Sequence, residues 1–245
     1  MCFINVGLKY FYCSDKKALE EAKNMNIPSC AECKLKLCRE CNYVQEKLPA
    51  FCPIKTREEL VRKSKNVYLN EEKINNLNIT SELVHKYGYD MVDKKPLTVR
   101  SRVELLVKFV KELKIKKIGI AFCVALSQEA YTLNKILKNN QLDVYSVACK
   151  CGHIDKSELG IPNKYKIKNP NNFESACNPI LQALLLNENN TELNVIVGLC
   201  IGHDLLFSIK SKAPVTTLIV KDKFTGHNPV VVLYADYLNQ KFFNL

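Results

Sequence analysis

Residues 194–204 read NVIVGLCIGHD, and this stretch decides the fold. Val195, Ile196, Val197 and Leu199 form a continuous apolar run rather than an alternating one, which is how a strand covered on both faces of a parallel sheet reads. Gly198 and Gly202 bracket Cys200, so the backbone is able to turn tightly there and a bulky group is able to approach the sulfur. A helical pattern opens at once with His203 and Asp204. In an open α/β sheet, ligands bind beyond the carboxyl ends of the strands. Cys200 stands at such an end.

Outward from that stretch the chain alternates strand and helix. Strands are expected at 117–123 (KIGIAFC), 143–150 (DVYSVACK), 194–200 and 213–222 (APVTTLIVKD). Helices are expected between them, at 127–140 with Ser127 as cap, at 174–187 with Cys177 in its first turn, and at 203–211. A last helix begins near Asn228 and Pro229. Crossover helices between strands imply a parallel sheet with right-handed connections. The fold class is therefore α/β, a Rossmann-like or flavodoxin-like parallel sheet with flanking helices, although no G-x-G-x-x-G loop is present.

That fold makes residues far apart in sequence neighbours. Cys123 ends the first strand, Cys149 and Cys151 the second, Cys200 the third, and Cys177 opens a helix; strand ends and helix starts share one face of the sheet. Cys123, Cys149, Cys177 and Cys200 are thus expected to converge and to hold a zinc ion or an iron–sulfur cluster, with Cys151 spare. The helix N-terminus favours the thiolate of Cys177. Three histidines, His153, His203 and His227, each follow a glycine in a turn, and His203 and His227 join the candidate site as ligands or proton carriers. Asp204 reads chiefly as a helix cap. Lys221 and Asp222 end the last strand on the same face, placed to bind an anion or to pair with each other. The alternative is that cysteines simply pack well at strand ends.

Before the sheet lies a different kind of sequence. Residues 30–53, CAECKLKLCRECNYVQEKLPAFCP, hold five cysteines. Cys30 and Cys33 form a C-x2-C, a spacing that lets one turn present two sulfurs to one ion, and Cys38 and Cys41 form another. The four residues between the pairs are too few for a zinc ribbon, whose knuckles lie about 15–20 residues apart. The set Cys30, Cys33, Cys38 and Cys52, with Pro53 next, has the grouped-three-plus-distant-one layout of iron–sulfur loops and leaves Cys41 over. Residues 57–116 read as helices. Thr56 with Glu59, and Thr80 or Ser81 ahead of ELVHKYG, are candidate starts. Val103, Leu106, Val107, Val110 and Leu113 form an apolar helix face for the sheet, while Arg100 and Arg102 read as a solvated helix start. The organisation expected is an extension at 1–29, a cysteine-rich metal-binding segment at 30–56, a helical connector at 57–116 and an α/β domain at 117–245.

Composition narrows the function classes. Of 245 residues 47% are hydrophobic, enough for one substantial core. The net charge of +11 raises the question of nucleic acid, but its spread argues against it. Residues 1–56 carry nine basic against six acidic side chains, 57–116 fourteen against nine, and 117–245 thirteen against ten; only five of the 36 basic residues are Arg. Metal-held thiolates would offset part of that excess. The first thirteen residues lack a basic leader and a clean apolar run, and nothing else spans about 20 apolar residues, so neither signal peptide nor membrane anchor is expected. Twelve cysteines in a chain expected to be cytoplasmic, where thiols stay reduced, point to metal or redox chemistry rather than a disulfide frame. No Walker loop, nucleophile elbow or H-E-x-x-H is found.

The segments CAECKLKLC, FCP, KIGIAFC, VACKCG, ACNPILQALLLN, VGLCIGHDLLF, KAPVTTLIVKD and TGHNPVVVLY together resemble the cysteine-rich domain of unknown function 1847 family of metal-binding proteins. The resemblance implies the same two cysteine sets, Cys30/Cys33/Cys38/Cys52 and Cys123/Cys149/Cys177/Cys200, and supplies no reaction. The expected function is a metal-binding protein with two cysteine sites, iron–sulfur or zinc, working in electron transfer or thiol redox chemistry with a redox partner or small molecule. The rival is a non-catalytic small-ligand or metal-handling protein with a structural zinc at the first set. A third reading makes Cys200 or Cys177 a nucleophile beside a histidine.

Overall fold

The computed structural model describes residues 28–35, 37–39 and 44–244. Cys2, Cys13, Cys41 and all but the last two residues of the extension expected at 1–29 lie outside them. The chain forms two compact units, Met1–Asn78 and Ile79–Leu245.

In the first unit, short 3-10 turns at Cys30–Glu32, Leu37–Arg39 and Gln45–Lys47 precede a four-residue helix, α1 (Pro53–Thr56), and a longer one, α2 (Glu58–Asn70). Cys52 is the N-cap of α1, and Pro53 takes the first helical position, where its missing N–H is not needed; Arg57, not Thr56, is the N-cap of α2. Thr56 instead ends α1, its hydroxyl bonding the Cys52 carbonyl at 3.1 Å. Helix α3 (Glu72–Tyr87) crosses from one unit to the next and runs unbroken through Thr80 and Ser81, where a new start was expected. Neither glycine nor proline interrupts it before Gly88.

The second unit begins with an antiparallel hairpin, β1 (Tyr89–Val92) and β2 (Lys95–Thr98), where only helix was expected. Its turn is Asp93-Lys94, both at positive φ of 49° and 62°. That is the type I′ geometry that Asn-Gly usually announces, so the sequence hid it. Helix α4 (Arg102–Glu112) follows with a complete capping box between Ser101 and Glu104, and it buries Leu106 and Val110. Neither arginine before or at its start is merely solvated. Arg100 lies over the Tyr87 ring at 4.3 Å, and Arg102 donates to the Thr217 carbonyl at 3.0 Å.

Four parallel strands form the sheet: β3 (Lys117–Phe122), β4 (Asp143–Ala148), β5 (Leu193–Val197) and β6 (Val215–Ile219), in the order β4-β3-β5-β6. Every residue of β5 is buried, as its continuous apolar run requires. Helices α5 (Ser127–Asn139), α6 (Pro179–Glu188) and α7 (His203–Lys210) make the crossovers. The step from β3 to β4 goes one way and the step from β4 to β5 goes back past β3, so right-handed crossovers put α5 on one face and α6 and α7 on the other. The winding reverses between β3 and β5. Helices α8 (Val230–Tyr234) and α9 (Asp236–Phe243) end the chain.

Two close approaches fix the sheet against its helices. A Cβ on Gly119 would fall 2.0 Å from the Asn194 Oδ1 and 2.8 Å from Leu186 Cδ1. Asn194, fully buried on the central strand, accepts from the Thr191 hydroxyl at 2.8 Å and donates to Ser211 Oγ at 2.8 Å. Its polar atoms are therefore satisfied inside the core. Gly198 sits at φ +70° with Leu126 where a Cβ would be, and its N–H bonds the Ile219 carbonyl at 2.8 Å. The chain leaves β5 there and turns toward Cys200.

Candidate functional site

All four parallel strands deliver a chemically useful residue at their carboxyl ends. Cys123 follows β3 with its N–H on the Val197 carbonyl at 3.1 Å, and Cys149 follows β4 with its N–H on the Phe122 carbonyl at 2.8 Å. Both are 3% exposed. Beyond β5, the Cys200 carbonyl accepts from His203 N at 2.9 Å and Asp204 N at 3.2 Å, starting α7. Lys221 follows β6.

Cys177 arrives by another route. It was expected in the first turn of α6, but that helix begins at Pro179, with Asn178 as N-cap accepting from Leu181 N at 2.9 Å. An Asn side chain followed by proline makes a better helix start than anything in Glu174–Cys177. Cys177 therefore lies just ahead of the helix, in an extended segment whose Asn178 N–H bonds the Cys149 carbonyl at 2.6 Å. Its neighbour Ala176 bonds Ile154 at 2.8 Å, and Asp155 and Ser175 form an antiparallel bridge. Ion pairs staple this excursion. Asp155 accepts from Lys166 at 2.9 Å, from Glu174 N at 2.7 Å and from Ser157, and Lys156 pairs with Glu174. The segment is thus closed by charge.

The sulfurs meet above the sheet. The Lys221 ammonium donates to Cys123 Sγ at 2.6 Å and to Cys200 Sγ at 3.3 Å. Those two sulfurs are therefore no farther apart than the two distances together, 5.9 Å. Backbone N–H groups of the turn after β3 point at sulfur as well, Val124 at Cys149 and Ala125 at Cys123, each at 3.4 Å. Cys149 and Cys177 stand close enough to shift each other's ionisation. Among the described residues, no group of three or more Cys, His, Asp or Glu side chains is drawn tightly enough to hold a single metal ion.

The electrostatics divides the labour. Cys177 is drawn down from an ordinary 9.0 to about 7, first by the hydrogen bond from Cys149 and then, against burial, by the positive charge of Lys150. Cys149 moves the opposite way. Its thiol is pushed far up by donating to Cys177 and by burial, so it stays protonated beside its neighbour. Burial, then Cys149, raises Cys151. Burial works to lower Lys221, but its hydrogen bonds to Cys123 and Cys200 outweigh that and hold the ammonium above its ordinary value. Lys221 therefore serves the sulfurs rather than pairing with Asp222, whose carboxylate takes the N–H groups of Phe224 and Thr225.

The histidines stand elsewhere. His227 is bound to the Asp222 turn, its Nδ1 accepting from Asp222 N at 3.1 Å, and His153 stacks on Phe173 with centroids 4.5 Å apart. His203 begins α7. Asp204 does not cap that helix, whose N-cap is Gly202, but its carboxylate takes the Leu205 N–H at 2.8 Å within the first turn. Among the described residues, no hydrogen bond joins any histidine to the four sulfurs. In the first unit, Cys30 and Cys38 are exposed and Cys33 and Cys52 partly buried.

One contributor was hidden in the sequence. Gln182 on α6 is fully buried and its amide nitrogen bridges the carbonyls of Phe122 at 3.2 Å and Val147 at 2.7 Å, tying the ends of β3 and β4 together beneath Cys123 and Cys149. A glutamine inside the apolar run PILQALLLN was the available signal. Its Oε1 is buried and has no hydrogen-bond partner.

Residues 52–218 match the family described as protein of unknown function (DUF1847). The match takes in Cys52, Cys123, Cys149, Cys177 and Cys200 and stops short of Cys30, Cys33, Cys38 and Lys221. The chain is also similar to uncharacterized protein MJ0455 of Methanocaldococcus jannaschii, 49% identical over 142 residues, which cover 58% of this chain and 71% of that protein. No described helix is long and apolar enough to cross a membrane.

Proposed function

The chain belongs to the family of proteins of unknown function DUF1847, and from that premise we propose that it is a cytoplasmic cysteine-site metalloprotein of electron transfer or thiol redox chemistry. Its working centre is the crevice of Cys123, Cys149, Cys177 and Cys200. The observation that carries this reading is the gathering of cysteines from four separate segments at one edge of the sheet, two of them sharing one lysine, where the sheet's winding reverses. Such a switch point is where open α/β sheets take their ligands. The order β4-β3-β5-β6 corresponds to the 2-1-3-4 of flavodoxin-like sheets rather than the 3-2-1-4 of the Rossmann class.

The donor set fits an iron–sulfur cluster better than a zinc ion. A tetrahedral zinc with Zn–S bonds of about 2.3 Å holds its sulfurs about 3.8 Å apart, whereas Lys221 Nζ stands between the sulfurs of Cys123 and Cys200. Cluster ligands each bind a different iron and stand farther apart. When bound, a cluster supplies one-electron chemistry. The chain's own contribution is charge and dryness: Lys221 and two backbone N–H groups offset negative sulfur, while Cys123 and Cys149 are closed to water. Cys30, Cys33, Cys38 and Cys52 are proposed as a second site on their spacing.

Anaerobic purification with analysis of iron, zinc and sulfide tests the proposal. A coloured protein carrying iron and sulfide, and losing metal in Cys200→Ser, is expected. Unchanged metal per chain in Cys200→Ser refutes the crevice centre, and colourless protein with stoichiometric zinc refutes the cluster.

A further inference from the structure

We propose that Cys149 and Cys177 form a dithiol that exchanges with low-molecular-weight disulfides, Cys177 attacking and Cys149 resolving. This goes beyond the metal-centre reading, because it concerns the same crevice when its sulfurs hold no metal. The argument is geometric. Asn178 N–H on the Cys149 carbonyl at 2.6 Å sets the two cysteine backbones side by side, with Cys177 the residue directly before the donor. Disulfides need such backbone proximity and form without strain only where it already exists.

Both partners are held in place. Cys149 is pinned to Phe122, and Cys177 is carried on a segment bonded at Ala176 to Ile154 and at Asn178 to Cys149. On its other side Lys150 reaches the Ser175 carbonyl at 2.5 Å. Roles follow from access. Cys177 is partly exposed and Cys149 is 3% exposed, so only Cys177 can meet a disulfide from solution. The pair Cys123 and Cys200 is barred. Lys221 stands between Cys123 and Cys200, bonding both.

The exchange balances. The Cys177 thiolate attacks one sulfur of the small disulfide RSSR, forming Cys177–S–S–R and releasing RS⁻. Cys149 gives up its proton, and its sulfur attacks Cys177 Sγ, closing the Cys149–Cys177 bond and releasing a second RS⁻. The two protein protons end on the two RS⁻, so two electrons pass from the chain to RSSR, which leaves as 2 RSH.

The test uses the reduced, chelator-treated full chain exposed to oxidised glutathione, quenched with an alkylating agent and mapped by mass spectrometry. The expected product has a Cys149–Cys177 cross-linked peptide, a mass lower by two hydrogens, and alkylated Cys123 and Cys200. Cys149→Ser is expected to trap glutathione on Cys177, Cys177→Ser to form neither product, and Cys151→Ser to behave as the unsubstituted chain. The cross-link map of the unsubstituted chain needs no variant to fold. Alkylation of both Cys149 and Cys177, or a cross-link joining Cys123 to Cys200, overturns the proposal. A chain without iron or zinc that still forms the cross-link contradicts the metal centre alone, and a metal-loaded chain that cannot form it after chelation contradicts the exchange alone.

Discussion

Replacing Cys149 by Ala removes the largest support of the Cys177 thiolate. In the intact site that thiol ionises at about 7 instead of 9.0; without its donor the value is expected to return toward 9.0. At pH 7 the thiolate fraction then falls from about one half to about 1%, about 50-fold. A more basic thiolate is intrinsically more nucleophilic, and with a Brønsted slope of about 0.4–0.5 two pKa units restore about 6- to 10-fold. The net expectation is alkylation of Cys177 about 5- to 8-fold slower at pH 7. Above about pH 8.3 the order inverts, the variant reacting faster. The assay is the rate of iodoacetamide labelling of the Cys177 peptide between pH 5 and 10 in metal-free, reduced protein. A labelling midpoint that stays near 7 in Cys149→Ala, or one already near 9 in the unsubstituted chain, refutes the assignment of donor and thiolate.

Other perturbations reach the frame of the site. Gly119→Ala forces a methyl onto Asn194 Oδ1 and Leu186 and is expected to cost about 1–3 kcal/mol by overpacking, read from urea denaturation. The same change made on Asn194→Ala should cost less than on the unsubstituted chain, because the clashing oxygen is gone; strict additivity would contradict the contact. The Asp155 and Glu174 carboxylates lie below their ordinary range, Asp155 chiefly through Ser157 and Lys166 and Glu174 chiefly through Lys156. Their contribution to stability is therefore present above pH 4.5 and is lost as pH falls through the depressed values, with Glu174 titrating at about 2. Acid unfolding followed by circular dichroism should show a shallower pH dependence in Asp155→Asn, and an unchanged slope would contradict the staple. Lys221→Met removes the cation shared by Cys123 and Cys200, and oxidised glutathione should then cross-link these two as well; continued full alkylation of both would show that the lysine is not what keeps them apart.

Much of the site was legible because a parallel sheet makes it so. Once β5 was recognised from its unbroken apolar run, the carboxyl end of every parallel strand had to lie on the same edge, and Cys123, Cys149 and Cys200 followed. What strand periodicity does not carry is the order of strands, so which ends are neighbours came only with the fold. Cys177 was misplaced into a helix because the apolar pattern of α6 extends backward past its start, while the boundary is set by Asn178 and Pro179. The β1–β2 hairpin was missed because Asp93-Lys94 adopts a conformation usually left to glycine. The charge staple of Asp155, Lys156, Lys166 and Glu174 joins residues that a reading of local pattern treats as solvated. Lys221 was noticed at its strand end, but its direction toward sulfur depends on two other strands, β3 and β5.

The most direct measurement is anomalous X-ray scattering at the iron and zinc edges from crystals of the full chain grown without oxygen. An iron peak enclosed by the Sγ atoms of Cys123, Cys149, Cys177 and Cys200 is the expected result. Crystals whose anomalous maps hold no metal in that crevice, with Lys221 still bonded to Cys123 and Cys200, would contradict the metal centre.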